Sequence, residues 1–121
     1  MSVIANITGV ARRRARRPVD SEDRQEGDRA RDQGRWAEAA VSYVKHLDAH
    51  PRDFAICVQA ANCLKDAGNC QDALRVYWRA IALDGTDADV FLQLGHLYKL
   101  MGQFSLSGVA YASADREPCG G

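Results

Sequence analysis

A fixed spacing of 34 residues runs through most of this 121-residue chain. Small residues and tyrosines recur at that interval, each at its own place within the unit. The repeated columns are Gly34, Gly68 and Gly102; Gly27, Ala61 and Gly95; Ala39, Ala73 and Ser107; and Tyr43, Tyr77 and Tyr111. A constant period of roughly 20–50 residues is typical of stacked repeat proteins. The spacing therefore predicts a repeat domain over 20–121, made of the units 20–53, 54–87 and 88–121.

Each unit reads as two helices separated by a glycine. Apolar residues recur at helical spacing on both sides of that glycine, Asp53 and Asp87 stand at helix-capping positions, and Pro51 closes the first unit. The middle unit is the most apolar, as expected for a unit with neighbours on both sides. We predict that the small residues of the first and second helices pack together, and that the tyrosines fill the wider space near the turn. The sequence thus predicts an all-α array of three antiparallel helix pairs.

The charge is divided unevenly along the chain. Residues 1–19 contain five arginines and no acid, whereas the chain as a whole is neutral, so the remaining residues are net acidic. We predict a basic N-terminal arm over 1–19, which includes a short stretch with helical apolar spacing. It is interpreted as a leader or as a helix packed on the first unit, and alternatively as a contact for anionic membrane or nucleic acid. The arginines concerned are Arg12, Arg13, Arg14, Arg16 and Arg17.

The cysteines indicate a reducing compartment. Cys57, Cys63, Cys70 and Cys119 are too scattered for a disulfide framework, and three of them fall in predicted helices, where a cysteine acts as a small apolar residue. No apolar run approaches the ~20 residues that span a bilayer. We therefore expect a cytoplasmic protein.

No catalytic site or cofactor site is predicted. The chain has no phosphate-binding loop, dinucleotide fingerprint or nucleophile elbow, and nothing pairs a nucleophile with a base. His46 and His50 lie one helical turn apart, a spacing that suits a metal, but no further ligand accompanies them. His46 is interpreted as partly buried packing and His50 as a group that neutralises a helix end.

The repeat columns resemble the tetratricopeptide repeat (TPR). Phe91, Leu94, Gly95 and Tyr98 match the first-helix pattern of that family, and Ala39, Tyr43, Ala73, Tyr77 and Pro51 match its second-helix and closing positions. The resemblance implies a right-handed superhelix whose concave groove is lined by the first helices. It also implies a non-catalytic scaffold or adaptor that binds a protein or peptide.

Carried over position by position, the resemblance places the groove on three residues of each unit. They are Arg24, Asp28, Arg31, Val58, Asn62, Lys65, Leu92, His96 and Lys99. Arg31, Lys65 and Lys99 form a basic column, which suits an acidic partner, and the alternative for that column is a solvated rim.

Two further expectations concern larger assemblies. Stretches such as GDRARDQGRWAEAAVSYVKHLDAHPRDFAI and DADVFLQLGHLYKLMGQ resemble the repeats that precede the catalytic domain of some bacterial glycosyltransferases. The chain is then the non-catalytic N-terminal part or a relative of it. In addition, the last unit is predicted to show an apolar edge suited to self-association. That edge comprises Leu97, Tyr98, Met101, Val109 and Tyr111.

Overall fold

A computed structural model describes residues 20–115, which form six α-helices. They are α1 (Glu22–Asp32), α2 (Trp36–Ala49), α3 (Phe54–Asp66), α4 (Cys70–Leu83), α5 (Ala88–Leu100) and α6 (Phe104–Asp115). Helices next to each other in sequence pack together, and α1–α2, α3–α4 and α5–α6 form the three predicted pairs. The basic arm, 1–19, lies outside the described residues, and so do the predictions made for it. No helix in 20–115 is long and apolar enough to cross a membrane.

Local sequence signals set the ends of the helices. The first helix of each pair starts at a side-chain cap: Ser21, Asp53 and Asp87 accept hydrogen bonds from backbone N–H groups of the first turn. Each pair turns at a glycine with a positive φ, as at Gly34 (74°) and Gly68 (85°). Residues with a side chain rarely adopt that backbone conformation, which explains why glycine occupies this position in all three units.

In the first and last pairs, a tyrosine ring of the second helix lies on a glycine of the first helix. A Cβ atom added to Gly27 would lie 2.6 Å from the ring of Tyr43, and one added to Gly95 would lie 2.6 Å from the ring of Tyr111. The prediction that the tyrosines fill the wider space near the turn is therefore wrong for Tyr43 and Tyr111. In these two pairs the ring lies directly on the glycine, so a side chain at either glycine would meet the ring.

The apolar core consists of two clusters that meet in the middle pair. Ile56, Cys57 and Cys63 of α3 belong to the cluster shared with α1 and α2. Ala73 and Tyr77 of α4 belong to the cluster shared with α5 and α6. The middle pair is thus buried on both sides, as its composition predicts, and it joins the two end pairs into one packed array.

The prediction of an apolar edge on the last pair is wrong in most of its residues. Leu97 and Tyr98 are buried in the cluster shared with the middle pair, and the hydroxyl of Tyr98 accepts a hydrogen bond from Trp78 Nε1 at 3.1 Å. Met101 and Tyr111 are partly buried, and Val109 alone of the five is exposed. The reason is that the side of α5 holding Leu97 and Tyr98 faces the preceding pair. The large apolar side chains exposed around this end are instead Leu100, Phe104, Leu106 and Val109.

Candidate functional site

The predicted groove residues all lie on the first helices, α1, α3 and α5. We call the surface that they form the first-helix surface. None of the nine is fully buried: those of the first two pairs are partly buried, and those of the last pair are exposed. They are Arg24, Asp28 and Arg31 on α1, Val58, Asn62 and Lys65 on α3, and Leu92, His96 and Lys99 on α5. Lys65 Nζ donates to Gln93 Oε1 at 2.6 Å, which links the α3 and α5 parts directly.

The charged groove residues of α1 pair with one another and with other residues of the chain. Asp28 accepts hydrogen bonds from Arg24 Nη1 at 3.0 Å and from the hydroxyl of Tyr43 at 2.5 Å. Arg24 also pairs with Asp20, and Arg31 pairs with Asp28 and with a neighbouring aspartate. Burial, together with the hydrogen bond to Asp28, raises the pKa of Tyr43 well above its ordinary value. These charges are therefore already compensated within the chain.

On α3, the uncharged Asn62 takes the place of Asp28 as the partner of the tyrosine. The hydroxyl of Tyr77 donates to Asn62 Oδ1, as Tyr43 does to Asp28. Burial raises the pKa of Tyr77, and the nearby carboxylates of Asp66 and Asp89 raise it further. An amide at this position leaves one N–H₂ group available for a ligand, because its oxygen is already engaged.

The α5 part presents a different surface. His96 occupies the position of Asp28 and Asn62, and its ring packs edge-on against Tyr111 at 5.6 Å between centroids. Leu92 and Lys99 are exposed on either side of it along the helix. The same tyrosine column thus supports an acid, an amide and an imidazole in turn.

The three bases of the predicted basic column differ in their environments. Arg31 pairs with two carboxylates, and Lys65 bonds to the neutral amide of Gln93. Lys99 is exposed and forms no salt bridge with a residue in 20–115. Any electrostatic attraction of the column for an acidic partner therefore comes mainly from Lys65 and Lys99.

His46 is a structural residue of α2. Its Nδ1 atom lies 2.6 Å from Ser21 Oγ, and its Nε2 atom lies 2.8 Å from Asp53 Oδ2. Because Ser21 Oγ accepts the N–H of Arg24, its own hydrogen can be donated to Nδ1, while Nε2–H is donated to Asp53. The imidazole is fully buried, so the prediction that it is partly buried is wrong. It connects the residues that cap α1 and α3.

Residues 20–115 contain no cluster of three or more side chains suited to a metal ion. Cys57 and Cys63 are buried in the core between the first two pairs. Burial raises the pKa of both thiols, that of Cys63 to about 11. Both are therefore poor nucleophiles at neutral pH, in keeping with their interpretation as small apolar residues.

Two residues of the first-helix surface were not predicted. Gln93 joins α3 to α5 through Lys65, and Leu100 is exposed one helical turn after His96. The repeat spacing contains the signal for Leu100: the equivalent residues of the first two units are Asp32 and Asp66, so a leucine replaces a carboxylate.

Among known proteins, no family model matches the chain. The chain is 31% identical over 94 residues to the probable UDP-N-acetylglucosamine–peptide N-acetylglucosaminyltransferase SPINDLY of Hordeum vulgare. That match covers 72% of this chain and 10% of the relative, so the chain spans about a tenth of the length of the curated protein it matches.

Solved structures with the same fold include the second TPR domain of Spaghetti (RPAP3) bound to an HSP90 peptide. It has a TM-score of 0.70 and 16% identity, with 76% of this chain and 85% of that chain covered. A chain of the CopN–Scc3 complex has a TM-score of 0.74 and 16% identity, with 84% and 64% covered. A MamA crystal structure has a TM-score of 0.70 and 24% identity, with 76% and 50% covered, so the chain spans half of MamA.

The six helices, their pairing and these likenesses define an all-α solenoid, a right-handed superhelical array of antiparallel helix pairs. More particularly, the chain has the tetratricopeptide-repeat fold, and α1–α2, α3–α4 and α5–α6 are its three helix pairs.

Proposed function

We propose that this chain is a non-catalytic interaction module that binds a peptide or a protein segment along the first-helix surface. The observation that supports this most directly is the contact between Lys65 and Gln93, which makes the α3 and α5 side chains neighbours on one surface. A ligand lying across the two helices reaches Asn62, His96 and Lys99 together. The RPAP3 domain, which shares the fold, was solved with an HSP90 peptide, and the fold is thus compatible with such a ligand.

A charge-reversal experiment tests the location of the site. The immobilised chain is used to select binders from a random peptide library, and the selected peptides are measured against Lys65→Glu/Lys99→Glu. Arg75→Glu/Arg79→Glu is the matched control, because it makes the same change of charge at exposed positions of α4. We expect the first variant to weaken binding by about tenfold or more and the control by less than about twofold. Equal effects of the two variants, or no selected binders, contradict the proposal.

We propose as a second candidate that the chain is the non-catalytic repeat segment of a glycosyltransferase. The match to SPINDLY, a probable N-acetylglucosaminyltransferase, favours it. The gene tests this candidate: a transferase domain in frame beyond Gly121, or an adjacent transferase gene, supports it. A stop codon with no transferase gene nearby contradicts it.

A further inference from the structure

The first-helix surface changes in polarity from one end of the array to the other. Equivalent positions one helical turn apart on each first helix can be compared, because the units repeat every 34 residues. The three sets are Arg24, Asp28 and Asp32 on α1; Val58, Asn62 and Asp66 on α3; and Leu92, His96 and Leu100 on α5. The surface thus passes from fully charged, through mixed, to two leucines flanking a histidine.

At the α1 end, binding an apolar ligand is unfavourable. Asp28 is bonded to Arg24 and to Tyr43, and it also lies 3.6 Å from Arg31. Covering these groups removes water from charges that gain no new partner from an apolar side chain. We therefore expect an apolar segment to bind elsewhere on the first-helix surface.

At the α5 end, the apolar side chains are open to solvent. Leu92 is 39% exposed and Leu100 is 68% exposed. They lie eight residues apart on the same side of α5, which places them about 12 Å apart along the helix. His96 stands between them, held against Tyr111. The other two repeats carry aspartate at the position equivalent to Leu100. An exposed leucine in place of an aspartate does not favour solubility, and it therefore points to an interaction surface.

Charges at the two ends of this leucine pair have opposite signs. Lys99 is exposed beside Leu100 in the last turn of α5, and Asp89 is exposed in its first turn, before Leu92. A ligand that covers both leucines therefore meets a cation at one end and an anion at the other. Opposite charges on the ligand would fix its direction along α5.

We infer that the α5 end of the first-helix surface is an anchor site for an amphipathic protein segment with two large apolar side chains about 12 Å apart. An acidic residue of that segment lies beyond the apolar side chain that covers Leu100, next to Lys99. This inference rests on the proposed function and specifies the chemistry of the partner.

The chain itself supplies matched variants. Leu92→Arg/Leu100→Asp introduces at these two positions the residues that the first repeat carries, Arg24 and Asp32. Leu106→Asp/Val109→Arg makes the same exchange of two exposed apolar residues for one cation and one anion. It introduces on α6 the ion pair that Asp72 and Arg75 form on α4. Both variants keep the net charge and use residues that the same fold already accommodates.

The experiment uses peptides selected on the wild-type chain from a random library. We expect them to share two large apolar residues, four apart if extended or seven to eight apart if helical, since either spacing spans about 10–13 Å. We expect Leu92→Arg/Leu100→Asp to weaken their binding by about tenfold or more, and Leu106→Asp/Val109→Arg by less than about twofold.

The outcomes separate this inference from the proposed function. If Lys65→Glu/Lys99→Glu weakens binding but Leu92→Arg/Leu100→Asp does not, the surface binds peptides and the apolar anchor is wrong. If neither variant weakens binding, both are wrong. Light scattering tests whether a second copy of this chain occupies the site instead. If the wild-type chain is a dimer and Leu92→Arg/Leu100→Asp dissociates it, the leucines bind a second copy of this chain and the inference is overturned.

Discussion

The buried histidine provides a prediction whose control lies in the same chain. Asp53 and Asp87 are equivalent residues that cap α3 and α5 through the same type of backbone hydrogen bond. Only Asp53 also bonds to a histidine, because the residue one unit after His46 is Ala80. Replacing each aspartate by alanine therefore removes a cap in both cases. In Asp53→Ala it also leaves the Nε2–H of a buried imidazole without an acceptor, while Nδ1 stays bonded to Ser21.

The magnitudes follow from these contacts. Loss of a capping side chain costs about 1 kcal/mol, within a range of roughly 0.5–2. An unsatisfied buried polar group costs a further ~1–3 kcal/mol. We expect Asp87→Ala to lower the free energy of unfolding by about 1 kcal/mol and Asp53→Ala to lower it by about 2–4 kcal/mol.

Urea denaturation followed by circular dichroism measures both values. The double variant Asp53→Ala/His46→Ala completes a cycle that isolates the coupling between the two side chains, which we expect to be about 1–3 kcal/mol. If Asp53→Ala and Asp87→Ala have equal effects, or if the coupling is near zero, the histidine does not stabilise the junction of the first two repeats.

Three other predictions concern stability and reactivity. Gly102→Ala should lower the free energy of unfolding by about 1–2 kcal/mol, because φ is 76° at that position. Gly108→Ala should raise it by about 0.5–1 kcal/mol, because Gly108 lies in a helix with open space around it. Urea denaturation of both variants measures these changes. The pKa of Tyr77 is raised in the folded state, so its contribution to stability is present below pH ~10 and is lost above it. Thermal unfolding as a function of pH should show a decline above pH ~10 that is smaller in Tyr77→Phe, and an equal decline in both would contradict this. Burial raises the pKa of Cys63 to about 11, so its alkylation near neutral pH should be slower than that of Cys70 by roughly tenfold or more. Peptide mass spectrometry measures both rates, and equal rates would show that the core opens readily.

Much of the fold could be predicted because the repeat spacing and the local signals agree. The glycines at the turns, the caps at Asp53 and Asp87 and the apolar spacing all place the helices within a residue or two of their observed ends. These features depend on residues close in sequence. A single sequence with a period therefore contains enough information to define them.

Contacts between distant side chains could not be predicted in the same way. The position of the Tyr43 ring on Gly27 depends on the distance between two helices, and the pairing of His46 with two caps depends on three elements meeting. The burial of Leu97 depends on which side of α5 faces the middle repeat. Spacing along one helix does not determine any of these distances.

The candidate site was predicted as a set of positions, but its chemistry was not. The repeat spacing placed Arg31, Lys65 and Lys99 in one column, whereas the structure shows that Arg31 is paired with carboxylates. The repeat spacing also places Leu100 where the other two units have aspartate, but only the structure shows that Leu100 is exposed. Whether a charged residue is compensated depends on neighbours from other turns and helices.

The most direct test of the account is the location of a bound peptide. Backbone amide signals of the ¹⁵N-labelled chain are recorded with and without a peptide selected from the random library. We predict that the largest shifts fall on the exposed side of α5, around Leu92, His96 and Leu100, with smaller ones on α3 near Lys65. Shifts confined to α2, α4 and α6 would contradict a ligand site on the first-helix surface.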